Sequence, residues 1–228
     1  MLSKTIRLLV LIAFPAGLLF SSPLLGQVND AGLWTSVSFE AKVVKKLTFN
    51  ISQEFRFNEN ITELGAYLTD AGLSYKLNKH FQFSVNYRIT KRRTVEDYYS
   101  LRHRFYVDIK VEKKLKPFQI QLRTRLQDQY ADIGRDSDGG VPEYYLRNKL
   151  TLKWDPDKAY TPYVAMEFFS PLNYPRYSAF DNIRAIAGVD YSLSKHHKID
   201  LYYMIHKEVN VSLPVTYFVL GLGYSYKL

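Results

Sequence analysis

No cysteine occurs in the 228 residues of this chain. That excludes disulfides and thiolate metal sites, and it is compatible with export. An apolar run of the ~20 residues that a membrane-spanning helix requires is also missing. The longest, Leu8–Leu19, stops short of it, and a mean hydropathy of −0.23 excludes a bundle of such helices. No glycine-rich phosphate loop is present. Acidic residues are the scarcer sign, with 22 Asp and Glu against 31 Lys and Arg and a net charge of +9. Such a balance invites a nucleic-acid reading, but the cations are spread along the whole chain, which argues against nucleic acid as a partner.

What the chain has in abundance is tyrosine and phenylalanine, 19 and 14 residues, so that aromatics reach 15%. The N-terminus carries Lys4 and Arg7, then the apolar run, then a small-residue stretch ending in Leu25-Gly26-Gln27. This charged, apolar, small layout predicts a secretory signal peptide over residues 1–26 and a mature chain over 27–228. A retained anchor helix is the competing reading, and the length of the run argues against it.

From Leu33 onward, segments about as long as a membrane-crossing strand alternate apolar and polar residues with a period of two. Leu47 to Asn58 sets Phe49, Ile51, Phe55 and Phe57 against Asn50, Ser52, Glu54 and Arg56. Phe81 to Arg92 sets Phe83, Val85, Tyr87 and Ile89 against Ser84, Asn86, Arg88 and Arg92. A helix would instead place its apolar residues three and four apart. Connections are short after the odd segments and generally longer after the even ones, the asymmetry of an outer-membrane barrel with short periplasmic turns. The predicted fold is all-β, an antiparallel up-and-down transmembrane β-barrel of about 10–12 strands in the outer membrane of a Gram-negative bacterium. Eleven segments can be read, whereas single-chain bacterial barrels have an even number. Either residues near Gln27 to Trp34 cross the lumen, one segment does not span, or a further strand exists.

The last segment, Val215–Leu228, ends in Gly223-x-x-Tyr226-x-Leu228. This resembles the signal that hands outer-membrane proteins to the barrel-assembly machinery, although Leu222 stands where a polar residue is usual and Leu228 replaces the commoner Phe. Gly32-Leu33-Trp34, Arg102-His103-Arg104-Phe105, Leu146-Arg147-Asn148-Lys149-Leu150 and Gly221-Leu222-Gly223-Tyr224-Ser225-Tyr226 together resemble the outer-membrane barrels known as domain of unknown function 2490. The resemblance implies a barrel and supplies no activity.

Tyr99-Ser-Leu-Arg102-His-Arg104-Phe105 and Tyr144-Tyr-Leu-Arg147-Asn-Lys149-Leu150 look like two copies of one hairpin unit. In each, the basic pair is two residues apart and so shares a strand face, the polar one. With Arg123 and Arg125, the residues Arg102, Arg104, Arg147 and Lys149 form a candidate basic cluster in the lumen, suited to a narrow channel or binding barrel that favours anions. The competing reading is a network of cross-strand ion pairs that fills a narrow barrel. An enzyme of lipid is a further alternative, since small barrels with a lipase activity place His two residues before Ser. Here His80, His103, His196, His197 and His206 are followed at that spacing by Gln82, Phe105, Lys198, Ile199 and Glu208. No catalytic residue, metal site or cofactor is therefore expected. A structural barrel presenting Ala131–Val141 and Pro171–Ala179 is the remaining reading. The expected partners are outer-membrane lipid, lipopolysaccharide against exposed Lys and Arg, and the assembly machinery.

Overall fold

A computed structural model describes residues 28–94, 96–131, 143–156, 158–173, 179–211 and 213–228. The expected signal peptide lies outside the described residues, as do most of the two long loops. The alternating segments form eleven strands: β1 (Val28–Val44), β2 (Leu47–Asn58), β3 (Glu63–Lys76), β4 (Phe81–Arg93), β5 (Tyr99–Leu115), β6 (Phe118–Ala131), β7 (Glu143–Trp154), β8 (Tyr160–Pro171), β9 (Asn182–Ser192), β10 (His197–Glu208) and β11 (Val215–Lys227). They pair in sequence order and close into a barrel through β1 and β11.

The closure answers the parity question. In an up-and-down meander successive strands alternate in direction, so the first and eleventh point the same way and can only meet in parallel. They do so in continuous register from Val28↔Val215 to Glu40↔Lys227, while the other neighbours are antiparallel. Val28 to Trp34 belong to β1 itself, which begins earlier than the alternation from Leu33 suggests. Both β1 and β11 start at the long-loop end, and β11 finishes beside the short turn at His196, whose carbonyl accepts from Lys227 N at 2.8 Å.

Sidedness is the reverse of a water-soluble barrel. Ile51, Leu73, Val85, Ile109, Leu122, Leu150, Val164 and Leu201 are exposed on the outer wall, whereas Asp70, Asn86, Asp108, Arg125, Arg147 and Glu167 are buried inside. Backbone donors and acceptors are consumed around a closed ring, which leaves no sheet edge. This is the organisation of an outer-membrane-type barrel, with an apolar exterior and a polar interior. On β11 the outward residues include Leu220 and Leu222, while Val219, next to Leu220, is buried against the lumen.

Rings gather toward the strand ends, where an aromatic girdle belongs. At the short-turn end Tyr226 stacks on Phe39 with centroids 6.0 Å apart, and His197 Nδ1 lies 2.5 Å from Tyr224 Oη. Nearer the long loops, His103 faces outward with its Nδ1 2.5 Å from Tyr87 Oη. Its partner is a phenol rather than a serine. Of the residues in the assembly-like ending, Gly223 faces the lumen, Tyr226 joins this girdle, and Leu228 N donates to Glu40 O at 2.9 Å.

Candidate functional site

Period-two alternation aims every second side chain inward, and in the long-loop half of the barrel the inward side chains surround a cavity of about 560 Å³. Arg102, Arg104, Arg123, Arg125, Arg147 and Lys149 all line it. So do Arg56, Arg88, Arg92 and Arg184, making ten cationic side chains against five carboxylates on the same lining.

Cross-strand register places several of these cations directly opposite one another. Arg88 faces Arg104, Arg125 faces Arg147, and Arg123 faces Lys149. Like charges in that position are destabilising unless something intervenes. Part of the charge is met within the wall. Arg125 forms a two-pronged pair with Asp108 at 2.6 and 2.7 Å. Arg88 reaches Asp70 at 2.6 Å, and Arg56 reaches Glu54 at 2.6 Å. Asp70 also accepts from Tyr106 Oη at 2.6 Å, which ties β3 to β5.

The rest converges on one carboxylate. Glu167 of β8, 2% exposed, accepts from Arg123 and from Arg147 at 2.8 Å, with Arg184 at 3.7 Å on its other oxygen. Three guanidinia thus share a single negative charge. Lys149, beside Glu167 on the neighbouring strand, makes no hydrogen bond or ion pair among the described residues. Arg104 is bonded, among the described residues, only to the neutral side chain of Gln129. Among the described residues, the buried Nε–H groups of Arg104, Arg123 and Arg184 find no acceptor.

Aromatic side chains hold the guanidinia in plane. Arg56 lies 3.7 Å from the Trp34 ring centroid, Arg125 3.7 Å from that of Tyr106, and Arg147 4.1 Å from that of Phe169. Such stacking stabilises a cation and leaves its edge free for hydrogen bonds. These inward rings are not among the lumen residues singled out from the sequence. Parity could have found them: Tyr106 sits between Arg104 and Asp108 on the polar face of its strand, and Phe169 two residues from Glu167.

The floor is built by Tyr163 and Tyr202. Tyr163 Oη donates to Asp200 at 2.9 Å. A second, smaller cavity of about 200 Å³ lies toward the short turns, bounded by Asp190, Lys198 and the same Asp200. Asp190 there takes both Lys153 and Lys198 at 2.7 Å. The Tyr202 ring fits only because its neighbour is glycine: a Cβ on Gly221 would overlap the ring. Gly221→Ala is therefore expected to cost about 1–3 kcal/mol in urea unfolding, by overpacking. In a Tyr202→Ala background the same change should cost almost nothing, and an undiminished cost would show that the ring is not the obstacle.

Among the described residues, no group of three or more His, Asp or Glu is placed to hold a metal ion.

Compared with known proteins, residues 31–212 match the family described as "Protein of unknown function (DUF2490)", the one that the strand motifs resemble. Among solved structures, the β domain of the Bordetella autotransporter BrkA is similar at a TM-score of 0.45 and 10% identity, covering 80% of this chain and 82% of that one. A search of curated proteins found no match.

Proposed function

We propose that this chain, which belongs to the DUF2490 family, is an outer-membrane barrel of a Gram-negative bacterium that binds an anionic ligand in its lumen rather than conducting ions. Assembly by the barrel-assembly machinery and contact with lipopolysaccharide belong to the same reading. The observation that carries it is the unmatched positive charge of the cavity. A lumen filled only for stability would alternate signs across its strands, as Arg125 does with Asp108 and Arg88 with Asp70. Arg104, Lys149 and the three arginines on Glu167 break that rule.

Burying cations without counter-charges is costly, and an anion arriving from the mouth offsets that cost where the wall does not. The Tyr163–Asp200 floor and the Lys153–Asp190–Lys198 pairs beneath it favour a closed end over a through-pore. The refolded protein in planar bilayers is expected to give no steady conductance, and in detergent to bind tripolyphosphate with an affinity that falls steeply with salt. A stable current of either selectivity would overturn the proposal, as would the absence of tripolyphosphate binding at low salt.

A further inference from the structure

Exposed charge is sorted by sign between the two ends of the barrel. At the short-turn end, Lys45 and Lys46 form the first turn, Lys79 lies in the second, Lys116 in the third, Lys158 in the fourth and Lys195 in the fifth, all exposed. Exposed Lys227 ends β11 beside them. Among the described residues no exposed acid stands at this end: Glu40 and Glu112 are partly buried and held by Lys227 at 3.4 Å and Lys110 at 3.3 Å. At the long-loop end, among the described residues, the exposed acids Glu59, Glu96, Asp97 and Glu143 outnumber the exposed cations Lys91 and Arg92. Both ends meet water, and a rim that needed only solubility would carry the two signs interspersed.

These lysines stand at the depth of lipid headgroups. Next to them along the outer wall, Tyr75, Phe81, Phe118, Trp154 and Tyr191 are exposed, the aromatic belt of a membrane interface. A lysine beyond such a belt lays its stem along the rings and carries its ammonium into the phosphate layer. The lysines also follow the whole circumference, from the β1–β2 turn to the β9–β10 turn and on to the end of β11 at the seam. A protein or a glycan strand approaching from the periplasm would meet one sector of that ring, whereas a lipid leaflet meets all of it. Short turns of outer-membrane barrels face the periplasm, so the leaflet concerned is the phospholipid one.

Resting on the outer-membrane placement of the barrel, and independent of what its lumen binds, we propose that the short-turn rim is a binding surface for anionic phospholipid, which its lysine ring gathers around the barrel. Trp154 reports on the lipid beside this rim, because bromine on an acyl chain quenches only a tryptophan it can touch. The other tryptophan, Trp34, lines the lumen under Arg56, out of reach of lipid. The protein is refolded into mixed vesicles of phosphatidylcholine and phosphatidylglycerol, with bromine on one lipid or the other. Phosphatidylglycerol is expected to be enriched about fivefold beside Trp154, the effect of a single lysine at an anionic surface. Replacing Lys113, Lys114 and Lys158, which lie on β5 and in the turn after Trp154, by Gln should erase the enrichment, while Lys91→Gln with Lys207→Gln should leave it. Tyr99→Trp in a Trp154→Phe background moves the reporter to the long-loop end, where Tyr99 is 40% exposed, and is expected to show no preference.

Equal quenching of Trp154 by the two brominated lipids would overturn the proposal, and sedimentation of the same protein with purified peptidoglycan would then give the rim to the cell wall. Equal enrichment at both ends would overturn it too, by assigning the effect to the net charge of the whole barrel. So would an enrichment that survives loss of the three lysines. The unaltered protein decides the first outcome even where a variant fails to fold, as judged by its heat-modifiable gel migration. Tripolyphosphate binding in the lumen is expected to be the same in the lysine variants, so failure here and failure of the anion reading are told apart.

Discussion

Glu167→Gln is expected to lower the unfolding free energy of the barrel by about 3–5 kcal/mol, measured as a shift of the urea midpoint of the protein refolded into lipid vesicles. The substitution keeps the shape and one acceptor oxygen, but it removes the one negative charge shared by Arg123, Arg147 and Arg184 and replaces the other oxygen by an amide donor. Those guanidinia are held in the lumen by ring stacking and by backbone register, so they cannot swing into water to recover their hydration. Removing one partner of a buried ion pair costs far more than the pair contributes, because the other charge is left uncompensated. Here three are left. Lys198→Gln provides the contrast. Its side chain is 41% exposed and Asp190 keeps Lys153 at 2.7 Å, so its loss should cost no more than ~1 kcal/mol. Similar midpoints for the two variants would show that Glu167 is not a centre of the network. Tripolyphosphate should also raise the midpoint of Glu167→Gln more than that of the unaltered protein, since it supplies the missing charge.

The strands were legible because a half-buried strand writes its sidedness into every second residue, and β2 and β4 do so almost without interruption. The start of β1 was not. Val28-Asn-Asp-Ala-Gly32 has no alternation to read, and its place is fixed by pairing with Val215–Val219, a contact between opposite ends of the chain. The basic face of the lumen was also legible, since Arg102 with Arg104, Arg123 with Arg125, and Arg147 with Lys149 each keep a spacing of two. Which acid meets which base was not. Glu167 is one of several lumen carboxylates in the sequence, and only the stagger between β6, β7, β8 and β9 makes it the meeting point of three arginines while Asp108 serves one. That stagger depends on how the whole ring closes, which no local pattern records.

Leu222→Arg is expected to lower stability by about 2–4 kcal/mol in vesicles, the cost of a cation on the lipid face near the bilayer midplane. Leu222 lies near the middle of β11, between Thr35 and Leu201 in register, and is 47% exposed on the outer wall. If water bathed that wall, exchanging an exposed leucine for arginine would change stability by no more than ~0.5 kcal/mol. The result therefore separates a barrel in lipid from one in solution. The cost should also vary along the strand: Leu220→Arg resembles Leu222→Arg, whereas Tyr226→Arg, in the girdle beside Phe39 and His197, falls to about 0–1 kcal/mol for charge placement because interfacial cations are tolerated. A uniform cost at the three positions would mean that packing, not depth in a bilayer, sets it. Leu222 also stands where an assembly signal ordinarily has a polar residue, so Leu222→Ser opposes the two roles of this strand. It should weaken the barrel in vesicles while bringing the C-terminal sequence closer to the signal. If the ending acts as that signal, assembly in cells should fall less for Leu222→Ser than for Gly223→Ala, whose methyl group would meet Ser36 Oγ at 3.2 Å, a tight contact that the hydroxyl relieves by a shift of a few tenths of an ångström. The opposite order in cells would assign β11 to the wall alone.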